Sequence, residues 1–150
     1  MNLIDTNNIN IEQISDNCFK ITCNNQKLSI KLSKVKPPFG LDKEYNNLYL
    51  KLQLNDQNLV TYVKEIESKI SNHLNQTIKS QLRNDNILTC KIPKIKNKIV
   101  CDIKDINGSY YNIYNISKNQ VISCELFIDN IWKYNDQFFY KWNYKTILIN

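Results

Sequence analysis

The clearest alternation of apolar and polar positions lies in NLYLKLQL, where Leu48, Leu50, Leu52 and Leu54 fall on one side and Tyr49, Lys51 and Gln53 on the other. Period two predicts a strand with one buried face. The same period opens at Cys18 in CFKITC and resumes in KLSIKLSKVK, where Leu28, Ile30 and Leu32 share a face and Lys34 follows in phase. Asn24 and Asn25 stand between the two runs and predict a hairpin turn. Residues 1–16 are Asn-rich and weakly periodic, and are read as an N-terminal arm preceding a domain over 17–150. PPFGL interrupts the pattern, because Pro37 and Pro38 cannot donate to a ladder and Gly40 reaches backbone conformations other residues avoid.

From Asp56 the period changes. Leu59, Val63, Ile66, Ile70, Leu74, Ile78 and Leu82 recur every three or four residues, which predicts one long amphipathic helix with Asp56 as its N-cap. Its apolar face requires a sheet to cover. Beyond Asn84 and Asp85, ILTCKIPKIKNKIVCDIK returns to period two, and Asn107–Gly108 predicts a two-residue hairpin turn. Two long strands close the chain, at 121–128 and 137–149, joined by a bend near 134–136. No internal repeat or linker divides it. The expected fold is mainly β with one long helix, either a Greek-key barrel or an α+β sandwich. An OB-type barrel inserts its helix between the third and fourth strands, where this helix falls.

Composition changes the picture in two respects. The 150 residues include no Ala and only two Gly, and are dominated by Asn, Ile and Lys, the residues that A/T-rich codons supply, so part of the net charge of +6 reflects coding bias. The charge is nevertheless uneven: residues 1–75 hold nine Lys against eight acids, residues 76–150 eleven Lys and Arg against six. A basic surface attracts polyanions. The acidic, Asn-rich start matches no secretory or transit signal, no apolar run nears the roughly 20 residues of a membrane span, and five unpaired-looking cysteines do not form a disulfide framework. A soluble intracellular protein with reduced thiols and no membrane contact is expected.

Catalytic chemistry is sparse. The one histidine, His73, falls inside the predicted helix without a nucleophile partner, and reads as structural or surface-exposed. Cys18 and Cys23 lack a matching second pair, so no zinc site is expected, and two glycines do not build a phosphate-cradling loop. Asp102, Asp105, Glu125 and Asp129 are turn formers and solvated positions before they are nuclease metal ligands. No enzyme activity, cofactor or metal is expected.

Binding chemistry is richer. Lys91, Lys94, Lys96, Lys98 and Lys104 put five positive charges into fourteen residues, a strip that attracts a phosphate backbone or, more plainly, protects an exposed strand. Aromatics crowd the last third, among them Tyr110, Tyr111 and Trp132, interleaved with Lys133, Lys141 and Lys145. Rings for bases and cations for phosphates are what single strands require. On the final strand Phe138, Tyr140, Trp142 and Tyr144 share the face assigned to the core. Phe139, Lys141, Asn143 and Lys145 share the opposite, candidate contact face, which Tyr49 and Lys51 extend on the earlier strand.

Pro38–Phe39–Gly40–Leu41 before an alternating strand, the helix, the basic KIPKIK segment, and a terminal run with Ile131–Trp132, Phe138, Trp142, Ile147 and Ile149 together resemble one family. It is the single-stranded DNA-binding proteins of large nucleocytoplasmic DNA viruses, the branch related to the phage-type OB-fold protein. The resemblance spans about residues 27–149. It implies an OB fold, DNA coating without strong sequence preference, and a role in viral replication, recombination or repair. Viral replication proteins are the implied partners and the host cytoplasm, in a viral factory, the implied location; a homodimer stays open. Two departures stand out. Phe139 occupies a position where the family generally has glycine, and the sequence stops at LIN without the acidic, aromatic-ended tail of the phage relatives, which leaves tail-mediated recruitment open. The competing function is a structural or scaffolding protein of a virion or transcription complex, with its aromatics buried against another protein.

Overall fold

The computed structural model describes residues 5–150. In chain order the elements are β1 (Ile9–Ser15), β2 (Cys18–Cys23), β3 (Gln26–Lys27), β4 (Ser29–Val35), β5 (Leu41–Glu44), β6 (Asn47–Leu50), β7 (Leu52–Gln53), α1 (Gln57–Leu74), β8 (Ile87–Leu88) and β9 (Cys90–Ile92). There follow β10 (Lys94–Ile95), β11 (Lys98–Ile99), β12 (Asp102–Asp105), β13 (Ile122–Ile128), β14 (Asn130–Tyr134), β15 (Gln137–Phe139) and β16 (Trp142–Ile149).

Two sheets carry the fold. The smaller has the order β1-β2-β14-β15, with β3 also on β2; the larger runs β4-β13-β16-β9-β6-β5, with β12 lying parallel to the C-terminal half of β16. The chain passes between them with almost no loop, through Leu28, through Asp129 and through Tyr140–Lys141. The Ile128 N–H donates to the Leu28 carbonyl at 2.9 Å, carrying the ladder round the corner. On the far side only Lys51 separates β6 from β7, and the Gln53 N–H donates to the Lys36 carbonyl at 2.9 Å just past the end of β4. The larger sheet is thereby closed on itself through β7. The result is the expected mainly β, OB-fold-like Greek-key barrel with a single α-helix, and closure pairs strand edges that would otherwise be open.

The alternation sets the inside of this barrel. Leu28, Ile30 and Leu32, and Leu48, Leu50, Leu52 and Leu54, are all buried. Lys34 leaves the pattern, being exposed with φ 54°, where the register against β13 slips between Ile122 and Cys124. Asn24 and Asn25 form the expected two-residue turn, with φ of 53° and 65° and Cys23 paired to Gln26.

Several expectations are corrected. Residues 9–15 of the expected arm form β1, antiparallel to β2 with Ile11 buried; residues 1–4 lie outside the described residues. The helix is capped by Asp56 as expected, its Oδ1 accepting from the Asn58 N–H at 2.9 Å, but it ends at Asn75 in the left-handed conformation (φ 51°) rather than continuing to Leu82. Ile78 is buried by the irregular return that follows, and Leu82 bridges to Leu88. Asn107–Gly108 is not a two-residue turn: only Gly108 has positive φ, and across a three-residue turn the Asp105 N–H donates to the Ser109 carbonyl while Asp105 Oδ1 accepts from the Ser109 N–H. The two closing strands are four, because the chain changes sheets at Asp129 and turns at Asn135–Asp136, both with positive φ.

The helix is tied to the barrel by a polar hub. Tyr140, fully buried, donates through its hydroxyl to Glu67 Oε2 at 2.5 Å and accepts from Trp142 Nε1 at 3.3 Å. Glu67 also accepts from the Gln81 N–H at 2.9 Å and the Ser80 hydroxyl at 2.6 Å, fixing the return segment. Burial, reinforced by the Glu67 carboxylate, holds the Tyr140 phenol well above its ordinary pKa, so it stays a donor. Tyr140→Phe is expected to lower stability by about 1 kcal/mol, and Glu67→Ala, which strands three donors, by about 2–3 kcal/mol, read from urea unfolding. Equal stability of both variants and the wild type would remove the hub from the account.

Candidate nucleic-acid interface

On the outer face of the larger sheet, register places one residue from each strand in a row. Asp42 pairs with Tyr49, Tyr49 with Lys91, Lys91 with Asn143, Asn143 with Phe127, and Phe127 with Ser29. At about 4.8 Å between strands, the row is about 24 Å long. Its members project outward because their chain neighbours Leu48, Leu50, Cys90, Ile92, Trp142, Tyr144, Leu126 and Ile128 are buried.

The β14–β15 hairpin borders this row. Trp132 pairs with Phe139, and both face away from the core because Ile131 and Phe138 face into it, Phe138 meeting Phe19 edge-on at 5.5 Å between ring centroids. A groove of about 200 Å³ brings Lys91, Asp129, Trp132, Phe139, Lys141 and Asn143 together. Trp132 is 55% exposed, whereas Trp142 is wholly buried. Lys141 Nζ donates to the Tyr49 hydroxyl at 3.1 Å and lies 5.5 Å from the centre of its ring. Tyr49 is therefore largely covered, a support for the lysine rather than an open platform.

Four predicted residues, Lys91, Trp132, Phe139 and Lys141, thus line one groove, and Tyr49 holds the Lys141 ammonium. Lys51 continues the Tyr49 side of the strand and pairs with Asp42 at 3.7 Å. Lys145 lies further along β16, 4.0 Å from Glu125. Lys94, Lys96 and Lys98 belong to the β10–β11 hairpin that extends β9 beyond Pro93, with Lys96 and Asn97 as its turn. Tyr110 and Tyr111 are not brought to the groove. Tyr110 bridges to Lys104 on β12, which pairs with the opposite end of β16, where Ile149 is about 24 Å along the strand from Trp142. Tyr111 packs on the core and donates to the Asn115 carbonyl at 3.1 Å. Asp129, weighed from sequence only as a turn former or metal ligand, and Phe127, one of the many late aromatics, were not expected in this interface. The signal for Phe127 was present, since in ISCELFI it is the one aromatic out of phase with Ile122, Cys124, Leu126 and Ile128.

The electrostatics suit an anion. Partial burial lowers the Lys91 pKa and nearby Lys141 lowers it further, so a negative ligand would offset the repulsion between the two lysines and favour the charged form of Lys91. The four acids considered as metal ligands do not converge: Asp102 pairs with Lys104 at 3.7 Å, Asp105 Oδ1 accepts turn N–H groups, Glu125 faces Lys145 and Asp129 pairs with Lys27 at 3.1 Å. Among the described residues no three His, Cys, Asp or Glu side chains form a metal-holding group. All five cysteines are free; burial raises Cys90 and Cys124 well above the ordinary thiol range and Cys101 to about 11.

No family model and no curated protein matches the sequence. Solved structures do match in fold. The single-stranded DNA-binding protein from bacteriophage Enc34 superposes with a TM-score of 0.56 at 10% identity, covering 94% of this chain and 88% of that one. The same protein in complex with single-stranded DNA gives 0.54 at 11% identity, covering 95% and 94%. Gp2.5, a single-stranded DNA-binding protein encoded by bacteriophage T7, gives 0.51 at 13% identity, covering 82% and 86%. The likeness at these identities is one of architecture, carried nearly end to end.

The groove's geometry makes a direct prediction for the two tryptophans. Acrylamide is expected to quench one emitting population and spare the other, and Trp132→Phe to remove the quenchable one. Retention of quenching in that variant would mean that Trp132 does not stand open to solvent.

Proposed function

We propose that the protein binds single-stranded DNA without acting on it chemically, coating the strand through the Lys91–Trp132–Phe139–Lys141 groove. One observation carries this: a half-exposed indole paired across the hairpin with Phe139, flanked by two lysines. Every base has a flat face to stack on a ring and every nucleotide a phosphate for a cation, so such a groove binds single strands with little regard to sequence. The fold shared with phage proteins named for binding single-stranded DNA, one of them solved with that ligand, supports the same reading. On this proposal the protein serves replication, recombination or repair of a large nucleocytoplasmic DNA virus, inside the infected cell and beside viral replication proteins.

Fluorescence anisotropy with a labelled oligothymidine tests it. Affinity is expected to fall linearly with the logarithm of salt concentration, and Lys91→Ala and Lys141→Ala each to flatten that slope by about 0.7. Trp132→Ala is expected to cost about 1–3 kcal/mol. No binding at low salt, or binding indifferent to salt, would sink the proposal.

A pH series adds a second check. The free protein's Lys91 has a lowered pKa, so as pH rises it loses its charge before an ordinary lysine does. Affinity should therefore begin to fall on the alkaline side below the usual lysine range. Lys91→Arg, charged throughout, should shift that fall to higher pH. An identical pH profile for the two proteins would take Lys91 out of the contact.

A further inference from the structure

Beyond the groove, the outer row contains a second aromatic that the proposed function leaves unused. Phe127 stands one strand further on, in register with Asn143, which itself lines the groove. Its ring lies under the Lys27 ammonium, 4.9 Å from Nζ to the ring centroid, and Lys27 is held from the other side by Asp129 at 3.1 Å. Phe127, Lys27 and Lys145 open, with Gln26, Ser29 and Glu125, onto a concavity of about 380 Å³. A lysine lying over a phenylalanine on a sheet surface ordinarily serves to cover apolar area. Here the ring and lysine sit in a concavity rather than on a flat face, a second lysine reaches the same space, and the pair continues the row that holds Lys91.

We propose that Phe127 is a second stacking platform for a nucleobase of the same single strand, and that Lys27 is its latch, exchanging Asp129 for a backbone phosphate when the strand arrives. The strand then crosses the sheet from Trp132 and Phe139, over Lys91 and Asn143, to Phe127. The charges suit a polyanion along that path, with Lys91, Lys141, Lys27 and Lys145 against Asp129 and Glu125. The latch is readily exchanged, since both partners of the Lys27–Asp129 pair are more than half exposed and such pairs hold weakly. The bound phosphate replaces the carboxylate at Lys27 Nζ, and the ammonium swings aside from the ring to follow it, leaving the face free for a base. This inference rests on the function proposed above.

The test uses an oligothymidine of about twelve nucleotides, within OB-fold site sizes, and reads anisotropy together with Trp132 emission. Phe127→Leu is expected to weaken binding by about 5-fold or more, the low end of the loss of one stacked base, while the quenching of Trp132 at saturation is unchanged. Asp129→Asn should tighten binding, and that gain should vanish when Lys27 is also replaced by Ala, because the aspartate acts through the lysine. Urea unfolding of each variant checks that the barrel is intact; Lys27 and Asp129 are surface residues, so their cycle stands even if Phe127→Leu fails to fold. Wild-type affinity in a folded Phe127→Leu overturns the platform. An Asp129→Asn gain that persists without Lys27 reflects general repulsion and overturns the latch. Absence of binding by the wild type overturns the function itself, a result distinct from either.

Discussion

The structure depends on how two buried tyrosine hydroxyls on one segment find acceptors. Tyr140 reaches Glu67 on the helix, and Tyr144 donates to the Leu50 carbonyl at 2.6 Å on the facing strand. Leaving such a group unbonded in a barrel core is costly, so both bonds restrict where β16 can lie. That strand pairs with β13, β9 and β12, so its placement is shared by most of the larger sheet. Because side chains alternate, fixing Tyr140, Trp142 and Tyr144 inward also fixes Lys141, Asn143 and Lys145 outward. The interior thus supplies the rigidity that an outer surface of rings and lysines requires.

Much of this was legible where burial is one-sided. The leucines of 48–54, the Asp56 cap, the Asn24–Asn25 turn and the inward set on the last strand follow from period and turn chemistry alone. The helix end did not, because Ile78 and Leu82 satisfy helical spacing while being covered by an irregular return, and spacing does not report what covers a residue. Asn75 was the available stop signal, but in a chain this rich in Asn it carried little weight. Of the groove residues, alternation placed Phe139 and Lys141 on the outward face, whereas Lys91 stood out only through its basic strip and Trp132 only as a ring beside a bend, able to stack or to pack. Tyr110 and Tyr111 were grouped with the aromatics of the last third, but in space they lie apart from the groove, because β12, to which Tyr110 bridges, meets the far end of β16.

The Asn-rich composition has a physical counterpart in the turns. Among the described residues eleven other than glycine have positive φ, and seven of them are Asn, at positions 24, 25, 75, 86, 97, 119 and 135. Asparagine tolerates the left-handed region better than most residues, so a chain with two glycines can still turn sharply. The compositional bias that weakens the charge argument is the one that makes the turns possible. What the fold needs at those sites is a conformation, and more than one residue type can provide it.

The turn at Asn135–Asp136 carries a consequence for how such a protein can change. With β14 held against β2 through Trp132 and Cys18, and Phe138 seated on Phe19, the hairpin's two arms are pinned independently of the loop that joins them. One residue added within an arm would exchange the roles of its two faces, sending Phe139 inward and Phe138 into water. Two would restore the phase. Length variation in the arms is therefore quantised: the barrel admits steps of two and rejects steps of one, so a lineage can lengthen or shorten this finger while the aromatic side of it keeps facing the same way.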